Sequence, residues 1–310
     1  MNAPCLTFTS VVRRYGPVLA VNDISVSIGG GITGLVGPNA AGKTTFITLA
    51  VGLKRPTGGQ IRVLGGDPWS DLGVKGQVGY CPDGERLWDN LTGLQFVVTM
   101  AMLSGVQKDQ AHGRANEILV QLGMGDAMER SLATYSRGMR QKVKVAQAVV
   151  HGPRFLMLDE PLNGTDPVSR HEIMKYLRQL ADQGTAIVVS SHVLHELDGF
   201  VDSVLLLHRG RLLASGTVEE IRDLIYEHPH TVRIETPDVK GLARWAVDLP
   251  GVMAVEMEDD ALNVRTRAPV ELYRTLPAFV MGSGVRVQSL YSTDSSLEAV
   301  FKYLTKGDLR

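Results

Sequence analysis

The chain has 310 residues, 44% of them hydrophobic and 21% charged, and its 32 Lys plus Arg against 33 Asp plus Glu give a formal net charge of −1. Ample apolar content at near-zero net charge excludes disorder for the bulk of the chain, and basic residues scattered along it exclude a dominant electrostatic role on nucleic acid. No apolar run approaches the roughly 18 residues of a membrane span. Cys5 and Cys81 are too few for a disulfide framework or a four-ligand metal site and fit a reducing cytoplasm. The start, Met1-Asn2-Ala3-Pro4, lacks the charge and apolar stretch of a secretory signal.

In chain order, Leu6 to Val12 and Val18 to Ile28 are rich in Val, Ile and Thr and read as strands joined by a turn at Tyr15-Gly16-Pro17. Gly29-Gly30-Gly31 breaks the pattern, Ile32 to Val36 reads as a short buried strand, and Lys43 to Leu53 has helical spacing before Lys54-Arg55-Pro56. Between about 90 and 150 the character is helical, with apolar stripes through Phe96, Val97, Met100 and Leu103 and through Ile118, Leu119 and Leu122. Strands return at Phe155 to Leu158 and Ala186 to Ser190, flanking a helix that opens at Asp166-Pro167, where Asp supplies a cap and Pro fits the first turn. Strands alternating with helices predict an α/β fold with a mostly parallel sheet, whose ligands bind beyond the carboxyl ends of the strands.

A linker is expected at Glu227-His228-Pro229-His230. Beyond it, Thr231 to Glu235, a helix near Leu242 to Leu249, alternation over Ala254 to Arg267, a helix near Val270 to Phe279 and Val285 to Leu290 predict a small α+β unit, closed by a helix from about Ser295 to Leu304.

Gly37-Pro38-Asn39-Ala40-Ala41-Gly42-Lys43-Thr44 fits G-x-x-x-x-G-K-[ST] between a predicted strand and a predicted helix, the context the motif requires. Small residues let successive backbone N–H groups close around phosphate oxygens, and the helix that follows presents its positive end. Lys43 can then reach the β and γ phosphates, and the Thr44 hydroxyl can ligate Mg²⁺. Asp159-Glu160 ends the strand Phe155 to Leu158, so one carboxylate is placed to hold Mg²⁺ and its neighbour to orient or deprotonate an attacking water. His192 and His195 beside Glu196 match neither H-E-x-x-H nor H-x-x-E-H, which argues against zinc.

With Tyr135-Ser136-Arg137-Gly138-Met139-Arg140-Gln141 some twenty residues before the carboxylates, residues 6 to 226 resemble the ATP-binding-cassette (ABC) ATPases, in the Tyr-Ser-Arg-Gly-Met form of that family's signature frequent among ABC-2-type exporters. The resemblance implies a P-loop NTPase core with an antiparallel β subdomain and a helical subdomain over residues 1–226, leaving 227–310 as an accessory α+β domain. It implies that Ser136, Arg137, Gly138 and Met139 cap the γ phosphate held by a second subunit. Asp166 would belong to a dimer-contacting loop, and His192 would contact the γ phosphate beside Glu160. Tyr15 would stack on adenine, with Gly37 to Thr45 holding the phosphates. Asp83, in Tyr80-Cys81-Pro82-Asp83, stands where the family usually carries Gln, and Ala40 where it often carries Gly. Ser296-Leu297-Glu298-Ala299-Val300-Phe301 looks like the closing segment of many exporter ATPase subunits.

The expected activity is ATP hydrolysis with ATP and Mg²⁺, powering transport by separate transmembrane permease subunits. The chain is expected as a homodimer or heterodimer, cytoplasmic and peripheral on the inner face of the cell membrane, with no direct nucleic-acid contact. Leu87, Trp88 and Leu91 are either local packing or the seat of a partner's coupling helix. A soluble ABC ATPase acting on nucleic acid or ribosomes is the rival reading, but only about ninety residues separate Thr45 from Ser136, too few for a long coiled-coil insertion, and the chain carries one cassette. A P-loop kinase or GTPase would explain the phosphate loop but neither the signature nor His192.

Overall fold

The opening strands are β1 (Leu6–Tyr15) and β2 (Val18–Ile28), turning at Gly16-Pro17 as the sequence predicts. Our computed structural model describes residues 3–84, 87–192, 194–197, 199–217, 220–221 and 230–292. The first strand is not a plain alternation: Leu6 and Phe8 face the core, then Ser10 takes a positive φ and the register slips, so that Val11 returns to the core. One extra residue in a strand re-aims everything after it.

β3 (Ile32–Val36) is buried at every position, as a strand covered on both faces must be. It runs into α1 (Lys43–Ala50), which ends three residues before the expected Leu53 because Gly52 turns the chain at φ +71, where a Cβ would stand 1.9 Å from the Pro68 carbonyl. Then follow β4 (Gly58–Val63), α2 (Leu72–Lys75) and β5 (Val78–Cys81), none of which periodicity had picked out. The β4 segment opens on two glycines and buries only Ile61 and Val63, and β5 is four residues long, so neither offers a readable pattern.

The helical stretch holds α3 (Gly93–Leu103), closed at its start by a Thr92/Gln95 capping box, α4 (Lys108–Gln121) and α5 (Arg137–Val149). After them come β6 (Phe155–Leu158), α6 (Pro167–Asp182) capped by Asp166, β7 (Ala186–Ser191), β8 (Ser203–His208) and β9 (Arg211–Thr217). The chain packs as two compact units, 1–215 and 216–310. Within the first, β2-β1-β4 make a three-stranded sheet with antiparallel pairing, and the second sheet has the order β5-β6-β7-β3-β8-β9 with parallel pairing from β5 through β8. Helix α1 joins the two: Phe46 stacks on Phe8 with centroids 4.3 Å apart, and both belong to a core that also holds Leu49, Phe155, Met157 and Leu205. Burying one such side chain stabilises the fold by about 1.5–3 kcal/mol.

The second unit is a four-stranded antiparallel sheet, β11-β12-β10-β13, from β10 (His230–Glu235), β11 (Val252–Met257), β12 (Ala261–Thr266) and β13 (Ser289–Ser292). Its helices are α7 (Val239–Val247) and α8 (Pro269–Ser283), whose Trp245 and Phe279 stack at 4.7 Å. Two expectations are corrected here. The alternating run over 254–267 is a hairpin of two strands, and the last strand begins at Ser289 rather than Val285, because pairing to β10 starts only where the Gln288 N–H reaches the Glu235 carbonyl. Except for His230, the expected linker lies outside the described residues, as does the helix at 295–304 with the Ser296 to Phe301 segment.

Candidate functional site

The sheet order builds the site. With β5, β6, β7 and β3 adjacent and parallel, their carboxyl ends deliver in sequence Asp83, Asp159-Glu160, His192 and the loop 37–42 to one edge of the sheet. They open on a cavity of about 630 Å³ whose walls include Asn39, Lys43, Thr44, Asp83, Glu160 and His192.

The loop is fixed by contacts that leave no room for side chains. A Cβ on Gly37 would lie 2.2 Å from the Leu207 carbonyl oxygen, and Gly42 caps α1 at φ +106 with the Ala20 carbonyl 2.5 Å from where its Cβ would be. Ala40 adopts φ +65 without being glycine, a left-handed conformation that costs about 1–2 kcal/mol. Lys43 is 7% exposed; its Nζ donates to the carbonyls of Gly37 at 2.7 Å and Pro38 at 3.3 Å and pairs with Glu160 Oε1 at 3.2 Å. An ammonium held this way faces the cavity with its charge in place before any anion arrives.

Glu160 is a second non-glycine residue at positive φ, +49. Its carboxylate is shared: Oε1 meets Lys43, and Oε2 accepts from His192 Nδ1 at 2.8 Å. Its backbone N–H donates to Ser190 Oγ at 2.8 Å, and that hydroxyl donates in turn to Asp159 Oδ1 at 2.7 Å. Strain at a residue so completely held is the mark of a functional position rather than of a loose turn. Asp159 is 1% exposed, and its Oδ2 has no hydrogen-bond partner among the described residues. Burial holds its carboxyl above the usual carboxylate range; the Ser190 and Thr44 hydroxyls oppose the shift, and the charges of Asp83 and Glu160 add to it. A buried oxygen without a partner beside a hydroxyl is the donor set a hard divalent cation takes.

The signature residues begin α5. Ser136 is its N-cap, accepting from the Met139 N–H at 3.3 Å, and Arg137, Gly138 and Met139 form the first turn. Gly138 has no alternative: a Cβ there would stand 2.4 Å from Ser169 Oγ and 2.7 Å from Asp166 Oδ2. Asp166 therefore lies against the signature turn while it caps α6 through the Ser169 N–H at 2.9 Å.

Tyr15 is the register partner of Val18, a wall residue of the cavity. It ends β1 at 39% exposure with the Arg13 guanidinium 4.6 Å over its ring, and it is not among the cavity walls, where Val18, Leu19, Ala20 and Arg209 stand instead. Sequence reasoning passed over these four and Ser190. Only Ser190 left a trace, as a polar residue ending an apolar strand; the others reach the cavity through pairings that no local pattern encodes.

Similarity to known proteins agrees with this geometry. Residues 21–163 match the ABC transporter family. The chain is 32% identical over 307 residues to the daunorubicin/doxorubicin resistance ATP-binding protein of Streptomyces peucetius, covering 96% of this chain and 91% of that one. It is 33% identical over 215 residues to the bacitracin transport ATP-binding protein of Enterococcus faecalis, covering 68% and 69%. A solved ATP-binding subunit of an ABC transporter superposes with a TM-score of 0.65 at 27% identity, over 71% of this chain and 93% of that chain. No helix among the described residues is long and apolar enough to cross a membrane. By sequence, fold and the assembly of its phosphate loop, this chain belongs to the ABC transporter family as an ATP-binding, ATP-hydrolysing subunit.

Proposed function

We propose that hydrolysis proceeds with Glu160 as general base and that the observation carrying this reading is the double engagement of its carboxylate by Lys43 and His192 at the cavity wall. The loop N–H groups from Gly37 to Thr45, with Lys43, bind the β and γ phosphates. Thr44 and Asp159 would hold Mg²⁺, for which the Oδ2 of Asp159, without a hydrogen-bond partner among the described residues, supports the fit, and the ion would supply charge neutralisation to the transferring phosphoryl group. Glu160 takes a proton from the water that attacks the γ phosphorus, the bond to the β-phosphate oxygen breaks, and ADP leaves with the electron pair. His192, tied to Glu160 through Nδ1, keeps that carboxylate aimed and turns the rest of its ring to the γ phosphate.

Two such subunits, identical or paired with another ATP-binding chain, close on two ATP molecules, with Ser136, Arg137, Gly138 and Met139 of one capping the γ phosphate of the other and Asp166 at the contact. Closure and reopening drive separate transmembrane permease subunits. The names of its relatives, a drug-resistance and a bacitracin transport ATP-binding protein, support export as the direction and the inner face of the cell membrane as the place of work. No direct contact with nucleic acid is part of this reading. Tyr15 remains the proposed adenine platform, beside its register partner Val18 at the cavity wall, and the second unit a separate accessory domain.

Glu160→Gln tests the chemistry. Loss of a general base lowers turnover by about 10²–10⁴-fold, while ATP binding persists and ATP-dependent dimers accumulate in sedimentation. Undiminished turnover would remove Glu160 from the mechanism.

A further inference from the structure

A second cavity, of about 180 Å³, adjoins the nucleotide cavity and shares three wall residues with it, Asp83, Glu160 and Asn163. Its other walls come largely from the first turns of α5, and Lys144, Arg137 and Arg140 give them positive charge. Lys144 is 4% exposed. Among the described residues three lysines are buried, Lys43, Lys142 and Lys144. Lys43 pairs with Glu160 and Lys142 with Glu172, whereas among the described residues Lys144 donates to the neutral Gln141 Oε1, at 3.0 Å, and to no carboxylate. Taking an ammonium out of water without an anion is costly, so a cavity walled by such a group is built for an anion that comes and goes. Arg140 is held in place by Asp89 Oδ1 at 2.8 Å and the Leu132 carbonyl at 2.9 Å, and Arg137 lies against Gly164.

We propose that this cavity binds inorganic phosphate, the product of hydrolysis, after it leaves ADP. The anion is generated against the wall the two cavities share, since Glu160 faces both. Once the γ phosphoryl group has passed to water, the new orthophosphate and ADP repel one another, while Glu160 and Asp83 line both cavities and favour neither. Lys144 and the guanidinium of Arg137 draw it past the shared wall, where Asp83 is exposed and accepts the N–H of Gly84. A phosphate parked there vacates the γ position, and ADP can then exchange for ATP.

The inference rests on the proposed placement of the γ phosphate beside Glu160, and the experiment separates the two. Full-length protein is first titrated with Mg²⁺ and a non-hydrolysable ATP analogue, then, once saturated, with inorganic phosphate, both by calorimetry. Phosphate is expected to bind alongside the analogue. Lys144→Met, which replaces a buried charge by a side chain of similar shape and is monitored for folding by its thermal transition, weakens phosphate binding by about tenfold or more, whereas Lys144→Arg stays within about threefold. Arg137→Gln, at an exposed position that places no burden on the core, weakens it by about threefold. Failure of the analogue to bind overturns the nucleotide placement. Analogue binding that excludes phosphate, or a Lys144→Met protein that binds phosphate as wild type does, overturns the second site alone.

Discussion

Lys43 Nζ and Glu160 Oε1 stand 3.2 Å apart, with side chains 7% and 11% exposed. On the proposed mechanism Lys43 binds a nucleotide's phosphate, so nucleotide binding would replace the carboxylate by another anion. Glu160→Gln removes the competitor without removing the hydrogen-bonding shape. Its ATP affinity is expected to rise about three- to tenfold over wild type in equilibrium titration, since a displaced ion pair of this kind is worth about 1 kcal/mol. Equal or weaker binding would show that the pair does not compete.

Asp159 gives a pH dependence with a definite sign. Its folded carboxyl is held above the ordinary carboxylate value of 3.8 by burial, with Asp83 and Glu160 adding to the shift. The folded chain therefore holds that proton more tightly than the unfolded chain does. The stability this group contributes is greatest at low pH, falls as pH rises through the interval between 3.8 and the raised value, and is flat above it. In Asp159→Asn that component disappears from the difference in denaturation free energy plotted against pH. Mg²⁺ would compete with the same proton, so any stabilisation it confers should shrink on acidification at a pH above 3.8 in wild type.

Ala40 sits at φ +65 in a loop where glycine adopts that geometry at no steric cost. Ala40→Gly is expected to raise the melting temperature or leave it level, with a gain of up to about 1 kcal/mol once glycine's extra chain entropy is set against the relieved strain. Nucleotide affinity should be kept. A loss above about 1 kcal/mol would mean that the alanine methyl packs usefully.

Asp83 lines both cavities and accepts a hydrogen bond from the Gly84 N–H at 2.9 Å. Asp83→Gln removes a charge that pushes Asp159 up. Basal ATP turnover should remain within about tenfold, but its stimulation by the transmembrane partner should change. Identical stimulation would dissociate this position from coupling.

Trp88 is 48% exposed and meets Phe96 edge-on at 5.7 Å, while Leu87 and Leu91 are half-buried beside it. An exposed indole anchored on a helix is a candidate contact for a partner. Trp88→Ala should keep basal turnover and lose co-purification with the permease; unchanged co-purification would assign Trp88 to local packing.

Much of this molecule is legible in the residues. The strands Val18–Ile28, Ile32–Val36 and Phe155–Leu158 and the cap at Asp166 fall where composition and turn chemistry put them, because each is fixed by neighbours in sequence. The phosphate loop is legible for the same reason: its glycines, its lysine and its threonine are contiguous. Strands β4, β5 and β9 are not legible, since their partners are distant and their own sequences are short or polar.

By itself, then, the sequence determined a phosphate-binding loop, two carboxylates on a strand end and a histidine on another, with enough apolar residues to bury them. It could not determine that Glu160 bonds Lys43 and His192 together, that Ser190 spans Asp159 and Glu160, or that Lys144 is buried without a carboxylate. Those facts follow from the strand order β5-β6-β7-β3, which lines up four chain segments up to 155 residues apart (37 to 192). Strand order is chosen by long-range packing of apolar faces, and local patterns carry no record of which face meets which.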